Sequence, residues 1–111
     1  MKVKDIIELL DLEVIVGADL DREITGGYAG DLLSNVMAGA EAGNVWITIQ
    51  SHQNVVAVGL LVDISAVIIA ENFEVEEKAL KRAREKGINI LRSSLSAYEI
   101  AGILYQKGIK T

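Results

Sequence analysis

The stretch Ser51–Asn72, SHQNVVAVGLLVDISAVIIAEN, decides how this chain is to be folded. By period alone it is a single apolar run that suits helix or strand. Asp63, Ile64 and Ser65 interrupt it. The segment before them, Gln53–Val62, has helix length, although its valines favour strand almost as well. The segment after them, AVIIA at Ala66–Ala70, is a β-branched run of strand length. With that division the whole chain alternates helix and strand. Parallel strands need crossovers, so the alternation predicts a largely parallel sheet.

Working toward the N-terminus, NVWITIQ reads as a strand with Val45, Ile47 and Ile49 on one face and Trp46 and Thr48 on the other. DLLSNVMAGA spaces Leu32, Leu33, Val36 and Met37 as a short helix, capped by Asp31 and ended by Gly39 or Gly43. Ala18–Gly30 reads as a loop, EVIVG as a buried strand, and VKDIIELLDL as an amphipathic helix on Val3, Ile6, Ile7 and Leu10. Toward the C-terminus, EVEEKALKRAREKG is an amphipathic helix with Val75, Ala79, Leu80 and Ala83 inward and Gly87 as its cap. INILRS is a strand. SAYEIAGILYQKG is the last helix, with Ser96 and Glu99 in capping-box spacing and Gly108 closing it.

The fold class that follows is α/β: a three-layer sandwich with a mainly parallel sheet of about four strands and helices on both faces. The strands are Val14–Val16, Val45–Ile49, Ala66–Ile69 and Ile88–Leu91. The unbroken apolar runs EVIVG and AVIIA fit burial on both faces. Ligands in such sheets sit beyond the carboxyl ends of the strands. Four polar loops are expected on that rim: Asp21–Ser34, QSHQN, ENFE and RSSLS.

The chain has 111 residues and a net charge of −5, a pI of about 4.8 and a mean hydropathy of +0.31. That length suits one domain over residues 1–111. The acidic balance argues against nucleic acid as partner. The densest basic stretch, KALKRAREK, is interleaved with acids and reads as a solvated helix face. No apolar run reaches the roughly 20 residues of a membrane span, and MKVKDIIELLDLE does not read as a signal peptide, so a cytoplasmic location is expected. Cysteine is absent and His52 is the sole histidine. Thiolate metal sites, disulfides and multi-histidine sites therefore lack material.

The candidate functional residues cluster in two loops. In DREITGGYAGDLLS, Gly26, Gly27 and Gly30 stand between a strand and a helix, beside Asp21, Arg22 and Thr25. The spacing is neither G-x-G-x-x-G nor a P-loop. Two readings stay open. In the ligand reading, Arg22 and Thr25 pair a phosphate or carboxylate, and the glycines let backbone N–H groups approach it. In the structural reading, the glycines shape a turn, and Arg22 pairs internally with Asp21, Asp31 or a carbonyl. Asp19, Asp21 and Asp31 suggest magnesium less economically than they suggest Asx turns. In the second loop, Ser51, His52, Gln53 and Asn54 form a polar group at a helix start. Ser93 and Ser94 lack an activating partner. Trp46 and Phe73 suit a core or an interface. No catalytic residue, metal or cofactor is assigned.

Asp21–Arg22 followed by Thr25–Gly26–Gly27 resembles the signature of the DRTGG domain family, with Glu23 and Ile24 between its halves. YAGDLLSNVMA, VWITIQSHQNVVAVGLL and AVIIAENFEVEEKALKRAREKGINIL extend the likeness over about Leu12–Ile109. The resemblance implies an α/β sandwich similar to the N-terminal domain of HPr kinase/phosphorylase. It also implies association with other modules, as in pyrophosphatases with CBS domains and in phosphotransacetylases. It does not imply kinase activity, because nothing here matches the separate P-loop domain. The expected function is a stand-alone, non-catalytic regulatory or interaction domain sensing a nucleotide-like ligand. Its expected partner is an enzyme or a CBS-domain protein. The alternative is an adaptor with no ligand of its own. A homodimer is expected through Val55, Val56, Val58 and Leu61, because a helix apolar all round must be covered on every side.

Overall fold

The computed structural model describes residues 1–110. The order is α1 (Val3–Leu10), β1 (Glu13–Val16), β2 (Gly26–Ala29), α2 (Leu33–Gly39), β3 (Asn44–Thr48), α3 (Asn54–Val62), β4 (Ala66–Ile69), α4 (Glu77–Lys86), β5 (Ile90–Arg92) and α5 (Ala97–Gln106). The decisive stretch divides as the pattern predicts. α3 closes on Asp63, which adopts the left-handed conformation at φ 67°, and β4 follows with all four residues buried. Gly87 caps α4 at φ 74°. The Ser96 side chain accepts from the Glu99 backbone N–H, and the Glu99 carboxylate accepts from the Ser96 N–H.

The five strands form one sheet in the order β1-β5-β4-β3-β2. β2, β3, β4 and β5 are parallel. β1 pairs antiparallel to β5, with an irregularity between Val14 and Val16. The period of two sorts the side chains to opposite faces. Trp46, Val67, Ile69 and Ile90 meet Val36 of α2, Val56 of α3 and Ala83 of α4. Val45, Ile47, Ile68 and Leu91 meet Val3 and Ile6 of α1 and Ile100 and Leu104 of α5. Helices therefore lie on both faces, α2, α3 and α4 on one and α1 and α5 on the other.

Four expectations are corrected. The sheet has five strands rather than about four, because Gly26–Ala29 is β2 and not part of a loop. Gly-Gly-Tyr-Ala has little strand propensity, and its pairing along β3 fixes it. β1 lies at the sheet edge and is not buried on both faces: Val14 is 42% exposed. Asp31 does not cap α2; Leu32 occupies that position without a side-chain bond, and the Asp31 carboxylate accepts from Thr48 and Ile49 instead. Finally, α3 obtains most of its cover from within the chain, leaving Leu60 and Leu61 exposed. It lies between α2 and α4, and Val55, Val56 and Val58 are buried in the core. Of the four residues expected to meet a second copy, only Leu61 is open, at 73% exposure.

Candidate functional site

The two candidate loops occupy opposite ends of the sheet. β1 runs antiparallel to its neighbour, so the chain leaves it at the amino end of the other strands. Gly17–Thr25 then crosses that amino edge from β1 to β2, which lie at the two margins of the sheet. On the way it is tied in turn to the segments that precede β5, β4 and β3.

At the first tie, Asn89 accepts from the backbone N–H groups of Ala18 and Asp19 at 2.8 and 3.0 Å. Its amide donates to the carbonyls of Asp19 and Ser65 at 2.7 and 2.9 Å. Asn89 is buried, and these bonds use its full capacity. At the second tie, Arg22 Nη2 donates to the carbonyl and the carboxylate of Asp63 at 2.8 and 2.7 Å. Ser65 Oγ donates to the Glu23 carbonyl at 2.6 Å. At the third, Thr25 Oγ1 donates to the Ala42 carbonyl at 2.8 Å, and the Thr25 N–H donates to the Gly43 carbonyl. Gly43 has φ 82°, and a Cβ there would press on the Thr25 side chain. At Gly26 a Cβ would meet the Lys110 carbonyl. Gly27 makes only ordinary contacts.

The remaining acids of this segment have local tasks. The Asp19 carboxylate accepts from the Asp21 N–H, the expected Asx turn. Asp21 pairs with Lys4 at 3.0 Å. The hydrogen bond from Lys4 holds the Asp21 carboxyl below its usual range, and the same bond raises the Lys4 ammonium above its own. Both groups are exposed. Asp31 stands at the other end of the sheet, so the three aspartates weighed for magnesium do not converge. Among the described residues no group of three His, Asp or Glu side chains is placed to hold a metal ion.

The carboxyl rim carries the second loop. Asp31 organises it: its carboxylate accepts from Thr48 Oγ1 and the Ile49 N–H at 2.8 and 2.9 Å, and its carbonyl accepts from Gln50. Trp46 is fully buried, and its Nε1 donates to the Gly30 carbonyl. His52 Nδ1 accepts from the Asn54 N–H at 3.2 Å, a helix-start task. The Ser51 carbonyl accepts from the Glu76 N–H. Glu71 and Asn72 are both left-handed, at φ 59° and 56°. Their N–H groups reach the carbonyls of Leu95 and Ser93. Phe73, expected in a core or interface, is partly exposed. Gln53 lines a hollow of about 220 Å³ with Lys78, Lys81, Arg82 and Glu85.

Sequence reasoning missed Asn89, Asp63 and Ser65 on the amino edge, and read Lys78, Lys81 and Arg82 only as solvated. Asn89 was visible as the one polar residue inside Ile88–Leu91. Asp63 was visible as the break in the decisive stretch. A third surface was also missed: the outer side of α5, where Tyr98 and Tyr105 are exposed. Next to it an apolar groove of about 310 Å³ opens between α5 and the edge strand β2.

This frame and its signature residues are those of a known domain class. The chain belongs to the DRTGG domain family, whose model matches residues 5–106. Its fold is similar to the crystal structure of the CBS and DRTGG domains of the regulatory region of Clostridium perfringens pyrophosphatase, complexed with the activator diadenosine tetraphosphate. That likeness has a TM-score of 0.71 and 10% sequence identity, and covers 99% of this chain. The chain spans about half of that structure, 50% of its length. At this identity the likeness is one of fold. No curated protein matches the chain at a significant level. Among the described residues no helix is long and apolar enough to cross a membrane.

Proposed function

We propose that the chain is a cytoplasmic, non-catalytic regulatory module that acts as a homodimer and senses a nucleotide-like anion at its carboxyl rim. The regulatory reading is supported by the family and by the fold shared with a pyrophosphatase regulatory region. The observation that carries the ligand is the gathering of Lys78, Lys81 and Arg82 around Gln53. Three cations against the single carboxylate of Glu85 suit a phosphate group. Gln53 stands at the start of α3, just past the carboxyl end of β3, the side on which parallel α/β sheets take their ligands. Ser51, His52, Gln53 and Asn54 remain the candidate ligand residues. Asp21, Arg22, Thr25, Gly26 and Gly27 belong to the frame. Acting in trans, the module would report to an enzyme or a CBS-domain protein. The uncovered side of α5 favours the second reading, an assembly subunit with no ligand.

A thermal-shift series with ATP, diadenosine tetraphosphate and inorganic pyrophosphate tests the ligand. A ligand that binds only the native state at 100 times its Kd stabilises by about 2.7 kcal/mol. The expected result is a rise in Tm that is lost in the Lys78→Ala, Lys81→Ala, Arg82→Ala triple variant and kept in Arg22→Ala. No rise with any of the three at millimolar concentration would leave the assembly reading.

A further inference from the structure

We infer that the two-fold contact of the homodimer is made by α5, crossing α5 of the second copy antiparallel at Gly102. This rests on the homodimer reading above and replaces α3 as its surface. Ile100 and Leu104 of α5 are buried in the core. At 100° per residue, the opposite side of the helix has Gly102 at its summit, flanked by Tyr98, Tyr105 and Gln106. Tyr98 is 90% exposed and Tyr105 58%. A glycine inside an exposed helix costs about 1 kcal/mol relative to alanine. Nothing within the described chain requires it, since a Cβ at Gly102 would meet no atom within 4 Å. A helix crossing closely at that point gains from it, because the missing side chain lets the two backbones approach.

The surface is complementary to itself. Antiparallel crossing at Gly102 sets Tyr98 of each copy level with Tyr105 and Gln106 of the other. That is the mouth of the apolar groove lined by Ala101, Leu104 and Tyr105 with Gly27, Ala29 and Ile47. Each Tyr98 thus has a pocket to enter, and the pair buries both exposed rings. Glu99 lies in the first turn of α5 and, at 100° per residue, on the same flank of Gly102 as Gln106. Antiparallel crossing therefore sets the Glu99 carboxylate of each copy beside the Gln106 amide of the other, an acceptor beside a donor. The helix dipoles also oppose favourably. An isologous contact of this kind closes as a dimer.

The natural chain has no cysteine, so a single introduced thiol reports the crossing point. At the interaxial distances of 8–10 Å usual for packed helices, facing Cα atoms lie roughly 5 Å apart, within disulfide span. Full-length Gly102→Cys and Leu61→Cys are oxidised with copper phenanthroline in parallel, and light scattering gives the mass of each reduced form. The expected result is a dimer in which G102C cross-links rapidly and L61C at least tenfold more slowly. Gly102→Arg should keep the wild-type circular dichroism spectrum and weaken the dimer at least 100-fold, and Tyr98→Ser at least tenfold. A dimer that cross-links through L61C and not G102C, or that survives G102R, overturns the α5 contact and leaves the homodimer standing. A monomer at 100 µM overturns both, and the face would then serve a helix of another protein.

Discussion

Replacing Arg22 by alanine should loosen the amino-edge crossing without touching the rim. Arg22 makes two hydrogen bonds through one nitrogen, to the carbonyl and the carboxylate of Asp63. The Arg22 side chain is 31% exposed and that of Asp63 66%. Solvent therefore screens the charge pair, and its share is about 0.2–1 kcal/mol. The bond to the carbonyl contributes about 0.5–1.5 kcal/mol. The expected loss is about 1–2 kcal/mol, a drop in Tm of about 4–10 °C for a domain of this size. Urea unfolding at one fixed protein concentration checks it, with an unchanged m value as the sign of an unchanged unfolded state. Asp63→Asn should cost less, since asparagine tolerates the left-handed backbone and keeps the carbonyl. Asp63→Gly should exceed Asp63→Ala in stability by about 1 kcal/mol, because both lose the carboxylate but only glycine relieves φ 67°. Arg22→Ala with the wild-type Tm and midpoint would refute the structural role of the signature arginine.

Asn89→Ala strands two N–H groups and two carbonyls at once, and should lower stability by about 2–4 kcal/mol, read from the urea midpoint. Thr48→Val deletes the hydroxyl that donates to Asp31 and accepts from the Gln50 N–H; a loss of about 1–2 kcal/mol is expected, together with faster amide exchange at Gln50. The exposed Lys4–Asp21 pair sets a pH window. The Asp21 pKa is depressed by folding, so its contribution is present above the ordinary carboxylate range and lost as pH falls through the depressed value. The Lys4 pKa is raised, so its contribution is present below the ordinary lysine range and lost as pH rises through the raised value. In Lys4→Ala the Asp21 carboxyl should titrate closer to an ordinary aspartate by NMR, and an unchanged titration would remove the pair.

Where a local signal and the tertiary environment agree, the sequence was enough. The break at Asp63 divides α3 from β4. The capping box at Ser96 and Glu99 starts α5, and Gly87 ends α4. The alternation in NVWITIQ assigns both faces of β3 correctly. The failures share a different cause. Nothing within Glu13–Val16 encodes that β1 runs against its neighbour; direction is set by the sheet it joins. Nothing in Gly26–Ala29 favours a strand locally; β3 on one side and the passing Lys110 carbonyl decide it. A helix apolar all round does need cover, but the sequence could not say that α2 and α4 supply it. The outer face of α5 was hidden because Tyr98, Gly102 and Tyr105 are unremarkable singly, and only the helix turn aligns them.

These two misreadings bear directly on the signature. With β1 parallel, the chain would leave it at the carboxyl rim, and Arg22, Thr25 and the glycines would face a ligand there. With β1 antiparallel, the same residues cross the amino edge. They meet Asn89, then Asp63 and Ser65, then Ala42 and Gly43, the segments that lead into β5, β4 and β3 in their spatial order. One short segment thus ties the sheet across its width, and Gly26 starts β2 where the Lys110 carbonyl leaves no room for a Cβ. Arg22, the cation that a phosphate would need, is already engaged by a carboxylate and a carbonyl. An anion bidding for it must displace both and expose Asp63 as a competing negative charge. The two lysines and the arginine that line the hollow at Gln53 share it with one acid, Glu85. On charge alone, the proposed anionic ligand would favour the hollow at Gln53 over Arg22, whose hydrogen bonds hold the amino-edge crossing.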